Sequence, residues 1–112
     1  MNKNIRKMKL EVELKRIVEI LCAKYFPKEL ILFGSLVKGK IRENSDIDLV
    51  IIKQTNKKFT ERIGEVIELC KPKMAVDFIV YTPKEFANLK EREPFIRKEI
   101  VENGKLIYEK YQ

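Results

Sequence analysis

The chain has 112 residues, 45% of them hydrophobic, so we predict a single domain over residues 1–112 with no room for a second, substrate-binding domain. It contains no histidine, which excludes a Ser-His-Asp triad, an imidazole base and a His-ligated zinc site. A net charge of +7 favours anionic partners such as nucleotides, RNA or an acidic protein surface, although mixed charges at 37% also describe a solvated surface rich in Lys and Glu.

The cysteines and the N-terminal segment predict a compartment. Cys22 and Cys70 are far apart in the sequence, which is typical of free thiols in a reducing environment. The first residues are charged throughout and lack the apolar core of a signal peptide, and no stretch is long enough to cross a membrane. We therefore expect a cytoplasmic protein without a membrane partner.

The first predicted element is a helix over residues 5–25, which Pro27 ends. Its apolar residues recur on one stripe that should face the core: Leu10, Leu14, Ile17 and Leu21. The first half of this helix is basic, which fits either a patch for RNA or phosphate or, as we favour, a solvated helix face.

An apolar run at residues 30–33 predicts the first strand, which ends at a Gly-Ser pair. Gly34 has no Cβ and lets the backbone approach a phosphate closely. Ser35 offers its hydroxyl and its amide at the start of a short helical turn, a position where amides bind phosphate well. Lys38 and Arg42 follow as candidates for neutralising phosphate charge.

Residues 46–52 predict a second strand that starts with two aspartates. Alternate residues of a strand point to the same face, so Asp46 and Asp48 should project together. The residues between and after them should project into the core: Ile47, Leu49 and Ile51. Two neighbouring carboxylates repel each other in water, and they suit a site where Mg²⁺ lies between them.

The third predicted strand, residues 74–81, contains the only other aspartate of the chain, Asp77. A carboxylate in an otherwise apolar strand is costly unless it is paired. One interpretation is a structural aspartate whose hydrogen bonds are satisfied. The other, which we favour because Asp46 and Asp48 are already present, is the third member of a carboxylate triad.

The remaining pattern predicts three helices and a closing strand. A helix is predicted over residues 60–70, with five apolar residues on one face: Phe59, Ile63, Val66, Ile67 and Cys70. Thr82 begins a second helix with a capping box. Residues 94–103 form a third helix with Gly104 as its C-cap, and residues 105–108 form the last strand.

The pair Gly34-Ser35, followed after ten residues by Asp46-x-Asp48, resembles the signature of the DNA polymerase β-like nucleotidyltransferase superfamily. The short length is similar to its minimal nucleotidyltransferase (MNT) branch, whose members often act as antitoxins beside a HEPN-domain toxin. The resemblance implies an α/β (α+β) fold with a small mixed sheet flanked by helices. Lys38 stands where many relatives carry Arg, so the charge is kept but the bidentate fork is lost.

The resemblance also implies a reaction, in which AMP passes from ATP to a hydroxyl of a protein partner with two Mg²⁺ ions as cofactors. The partner would be a HEPN-type toxin in a hetero-oligomer with this chain as its antitoxin. The implied catalytic and metal-binding residues are Asp46, Asp48 and Asp77, and the implied triphosphate ligands are Gly34, Ser35 and Lys38.

Two alternatives stay open. The chain could be an antitoxin that neutralises its partner by binding alone, although an intact carboxylate triad argues against this. It could instead add nucleotides to RNA, which the positive charge permits, although no RNA-binding module is evident in so short a chain. The sequence does not indicate the base of the nucleotide or the acceptor residue.

Overall fold

The structure is a computed structural model that describes residues 3–110 as a four-stranded sheet with helices on both faces. The elements in chain order are α1 (Lys3–Lys24), β1 (Glu29–Phe33), α2 (Ser35–Lys38), β2 (Ile47–Ile52), α3 (Phe59–Cys70), β3 (Val76–Tyr81), α4 (Pro83–Arg92), a π-helix (Ile96–Glu102) and β4 (Lys105–Glu109). Among residues 3–110, no helix is both long and apolar enough to cross a membrane. The predicted α+β architecture is confirmed.

The sheet is mixed, with the strand order β3-β2-β1-β4. β1 pairs antiparallel with both β2 and β4, while β2 and β3 pair in parallel across the α3 connection. The register places Phe33 opposite Asp48, and Asp48 opposite Asp77. Directly opposite residues share a face, so Phe33, Asp48 and Asp77 form one row across three strands.

The face covered by α1 and α3 carries the larger of two hydrophobic cores. The predicted apolar stripe of α1 lies in this core: Leu10, Leu14, Ile17 and Leu21. It packs there with alternate residues of β2, all of them fully buried: Ile47, Leu49 and Ile51. Because side chains alternate along a strand, Asp48 and Val50 face the other side, where α4 and the π-helix pack.

Two residues of the apolar face of α3 are exposed. Phe59 and Ile67 are 43% and 47% exposed, and Arg62 is buried instead. The Arg62 guanidinium donates to both carboxylate oxygens of Glu85, at 2.6 and 3.2 Å, and to the Val80 carbonyl at 3.2 Å. A bidentate pair of this kind satisfies a buried guanidinium, and it ties α3 to α4.

The helix before β4 also differs from its prediction. It winds as a π-helix and not as an α-helix, and its C-cap is Asn103 in the right-handed region. Gly104 is therefore not a left-handed cap. A Cβ added to Gly104 would lie 2.2 Å from the carbonyl oxygen of Ile100, so the glycine is needed for a close approach of two backbone segments.

Candidate active site

The three aspartates come together at one end of the sheet. Asp46 directly precedes β2, Asp48 is the second residue of β2, and Asp77 is the second residue of β3. The side chains of Asp48 and Asp77 are close enough to share a hydrogen bond when one of them is protonated. Asp77 is exposed, Asp48 is half-buried and Asp46 is 41% exposed, so the cluster opens to solvent.

The electrostatics of the cluster centre on Asp48. Burial raises the pKa of its carboxyl to about 6, and the charge of Asp77, the hydrogen bond with Asp77 and the charge of Asp46 act in the same direction. Each carboxylate therefore makes ionisation of Asp48 harder. A neighbouring cation would reverse this effect, since it favours the charged form.

Gly34 lies directly against Asp48. Its backbone has φ +80° and ψ −155°, and an added Cβ would be 2.1 Å from Oδ2 of Asp48. The glycine therefore makes room for a carboxylate, a requirement that the sequence argument, which considered only a phosphate, did not include. Ser35 begins α2, and the Gly34 carbonyl accepts hydrogen bonds from the amides of Val37 and Lys38 at 3.2 and 3.1 Å.

The structure places Lys38 in an ion pair. Its Nζ lies 2.7 Å from Oε2 of Glu99, so the cation that was expected to meet the triphosphate holds α2 against the π-helix. Arg42 lies in the exposed loop before β2, where its backbone amide donates to Oγ of Ser45 at 2.7 Å. Lys38 is thus paired with a glutamate of the π-helix and not with an aspartate of the cluster.

Arg6 is a residue of the site that the sequence argument assigned to a solvated helix face. Its Nε and Nη2 donate to the Ser45 carbonyl at 3.0 and 2.7 Å, and its Nη2 lies 3.7 Å from Oδ1 of Asp46. The arginine thus anchors the loop that delivers Asp46. The composition could have indicated such a role, because only six of the 24 basic residues are arginine. Two others of these six, Arg16 and Arg62, also donate through two nitrogens to one partner.

Arg6→Lys is expected to lower the free energy of unfolding by about 1 kcal/mol, because lysine keeps the charge but loses the two-pronged donation to the Ser45 carbonyl. Urea unfolding measures the loss, and hydrogen exchange should show faster exchange in residues 40–46. Lys7→Ala is the control, since its 3.9 Å ion pair with Glu11 is exposed and contributes little. Equal stability of Arg6→Lys and the unmodified chain would contradict the anchoring role.

The carboxylates of the cluster are of the kind that the predicted Mg²⁺ site requires. Asp48 and Asp77 offer adjacent carboxylate oxygens, the type of ligand that Mg²⁺ prefers. Within residues 3–110, however, no group of three acidic or cysteine side chains is already arranged to hold a metal ion. The charge of Asp46 acts on Asp48, while Oδ1 of Asp46 lies 3.7 Å from Nη2 of Arg6. The residues therefore fit a divalent cation, with Asp48 and Asp77 as adjacent oxygen donors and Asp46 beside them as the third candidate ligand.

Comparisons with known proteins agree with this geometry. The family profile for "Polymerase beta, Nucleotidyltransferase" matches residues 15–112. No curated protein gives a significant match. A crystal structure of a candidate nucleotidyltransferase from Sulfolobus solfataricus superposes with a TM-score of 0.67 at 20% identity, covering 93% of this chain and 84% of that one.

A second solved structure, described as a toxin-antitoxin with AMP-PNP, superposes with a TM-score of 0.54 at 22% identity, covering 88% of this chain and 74% of that one. At these identities both structures show the fold. The family profile reaches further, because residues 15–112 include the Gly-Ser turn and all three aspartates. The chain belongs to the polymerase β nucleotidyltransferase family.

Proposed function

We propose that this protein is a metal-dependent nucleotidyltransferase that transfers AMP from ATP to a hydroxyl group of a protein partner. The observation that carries the proposal is the contact of Gly34 with Asp48 and of Asp48 with Asp77, in a family whose members transfer nucleotides. A fold alone would not specify this chemistry. The convergence of a Gly-Ser turn with paired carboxylates supports it.

The reaction proceeds by attack of the acceptor hydroxyl on the α-phosphate, so that a new O–P bond forms while the bond to pyrophosphate breaks. Asp77, the exposed member of the pair, takes the hydroxyl proton. Gly34 and Ser35 hold the β- and γ-phosphates, and Lys38 joins them when it leaves Glu99. Gly34, Ser35 and Lys38 thus position the triphosphate or neutralise its charge, which is the main requirement of phosphoryl transfer.

The metal site of the proposal uses all three aspartates: Asp46, Asp48 and Asp77. These carboxylates would hold two Mg²⁺ ions. Bound Mg²⁺ neutralises the charge of the triphosphate and lowers the pKa of the acceptor hydroxyl. Arg6 positions Asp46 by holding the Ser45 carbonyl beside it.

The proposed acceptor is a toxin of the HEPN type, with this chain as the antitoxin of a hetero-oligomeric pair in the cytoplasm. The fold is shared with a solved toxin-antitoxin structure, and the net charge of +7 favours an acidic partner surface. The free thiols of Cys22 and Cys70 are consistent with a reducing compartment.

The test is to combine the purified protein, ATP, Mg²⁺ and the product of the adjacent gene, and to weigh that product by mass spectrometry. We expect an increase equal to one AMP group, which is lost with Asp46→Asn and with Asp48→Asn. Modification of RNA with the protein partner unchanged would move the acceptor to nucleic acid. A partner whose mass does not change in the presence of the unmodified chain would contradict protein adenylylation.

An antitoxin that acts by binding alone is the second candidate. It is favoured by one observation: Asp46 and Lys38 are both engaged in ion pairs, with Arg6 and Glu99, as the structure stands. The same experiment separates the two, because a partner that stays inhibited by Asp46→Asn and Asp48→Asn, without modification, indicates neutralisation by occlusion.

A further inference from the structure

An exposed aromatic ring stands beside the row of site residues. Phe95 immediately precedes the π-helix and is 58% exposed. Its ring lies perpendicular to that of Phe33, with the two centroids 6.4 Å apart and an interplanar angle of 86°. The edge-to-face contact holds the orientation of Phe95 while more than half of its surface stays open to solvent.

Phe95 is connected to the aspartate cluster through Phe33. Phe33 is the last residue of β1 and lies opposite Asp48, on the same face of the sheet. Phe95 is therefore linked to Asp48 through one intervening side chain, that of Phe33. The row of Phe33, Asp48 and Asp77 thus has the exposed ring of Phe95 in contact with its first member.

The helix that follows Phe95 is tied to α2 and has an unusual winding. One helical turn further on, Glu99 pairs with Lys38 of α2 at 2.7 Å, which joins the π-helix to the Gly-Ser turn. The wide winding is shown by the Asn103 amide, which donates to the carbonyl of Lys98 five residues back at 3.0 Å. π-helical turns are less stable than α-helical ones and are found frequently at functional sites.

A single exposed phenylalanine is common on protein surfaces and by itself indicates nothing. Phe59 is such a residue, 43% exposed, and its ring stacks on Tyr81 at the far end of β3 from Asp77. Phe95 differs in its place, since its ring contacts Phe33, the cross-strand partner of Asp48, and the helix that follows it is tied to α2 by the Lys38–Glu99 pair.

The geometry points to Phe95 as a stacking platform for the nucleobase of the nucleoside triphosphate. This inference rests on the proposed function and adds to it the class of substrate. A phenyl ring offers a flat apolar face and no hydrogen-bond donor or acceptor, so it recognises the size of a base and not its edge. The platform therefore favours purine over pyrimidine nucleotides and does not distinguish adenine from guanine.

Calorimetry with Mg²⁺ tests the platform by comparing ATP with inorganic tripolyphosphate, which has the phosphates but no base. Phe95→Ala is expected to weaken ATP binding at least about fivefold, the range of base stacking on an aromatic side chain, and to leave tripolyphosphate binding unchanged. Phe95→Leu, which keeps an apolar side chain against Phe33, should show the same loss for ATP. Phe95→Trp should restore binding, and Phe59→Ala, the matched aromatic control, should have no effect.

For the unmodified chain, ATP and GTP should bind alike and CTP and UTP more weakly. Unchanged ATP binding by Phe95→Leu, or an equal loss for ATP and tripolyphosphate, overturns the platform while nucleotide binding by the protein stands. Equal binding of all four nucleotides also overturns it. If the unmodified chain binds neither ATP nor tripolyphosphate, the proposed function fails and the platform fails with it.

Discussion

Asp48→Asn is expected to reduce nucleotidyl transfer more than about 100-fold and, at the same time, to stabilise the fold. The loss of transfer follows because asparagine brings no negative charge to the proposed metal site. The gain in stability follows because burial, together with Asp77 and Asp46, raises the pKa of Asp48 to about 6, so its charged form is disfavoured in the folded state. Asparagine has nearly the same volume and removes that penalty.

The pH dependence of this gain has a definite sign. The ordinary pKa of the carboxyl is 3.8 and the folded value is about 6, so between these values the folded state holds more protons than the unfolded state. Stability therefore falls as pH rises through this window, and the penalty is complete above pH 6. Since Asp48 is only half-buried, solvent screening reduces the penalty to about 1–2 kcal/mol.

Thermal melts in the presence of a chelator measure this effect. At pH 7.5, Asp48→Asn should melt several degrees above the unmodified chain, and the difference should disappear near pH 4. Glu91→Gln is the matched control, because it removes the same charge from an exposed position of α4 and should change Tm little. Equal Tm values at pH 7.5 would show that Asp48 carries no electrostatic strain.

Gly34→Ala is expected to destabilise the fold by about 2–4 kcal/mol and to abolish nucleotide binding. Two causes combine. The residue has φ +80°, where a side chain costs about 1–3 kcal/mol, and the new Cβ would lie 2.1 Å from Oδ2 of Asp48. Either Asp48 or the start of α2 has to move, and both are parts of the proposed site.

Urea unfolding and ATP calorimetry check this prediction, with one control variant for the backbone cost and a double variant for the steric contact. Gly39 also has a positive φ, +73°, but with ψ 12° it lies in the left-handed helical region, and a Cβ there would meet no atom within 4 Å, so Gly39→Ala gives a lower limit for the backbone cost in the absence of any steric contact. Adding Asp48→Ala to Gly34→Ala should recover part of the lost stability, because the colliding carboxyl is gone. If Gly34→Ala costs no more than Gly39→Ala, the contact with Asp48 is not what requires the glycine.

Much of the fold was predictable because it depends on neighbours within one element. The 3.6-residue period of α1 predicted its buried stripe correctly, and the two-residue period of β2 placed Ile47 and Asp48 on opposite faces. The capping box at Thr82 also depends only on residues three apart, and both of its hydrogen bonds are present. The family-level resemblance, carried by the spacing from Gly34 to Asp48, is confirmed by the profile match.

The partners of the charged side chains were decided by the tertiary structure. Periodicity assigned Arg6 to a solvent-facing surface and left Arg62 out of the core, yet Arg6 anchors the loop before Asp46 and Arg62 is buried on Glu85. A long cationic side chain can reach a partner many residues away, and its partner depends on how whole elements pack.

The same distinction separates what was known of the site from what was not. The sequence by itself determined that Asp46 and Asp48 lie close together, because they are only two residues apart where β2 begins, with Asp46 just before the strand. Only the tertiary structure decided that β3 pairs with β2 in the register that sets Asp77 beside Asp48, and that Gly34 packs against that carboxylate. Strand order and register are set by the burial of whole sheet faces, which no local pattern in the sequence reports.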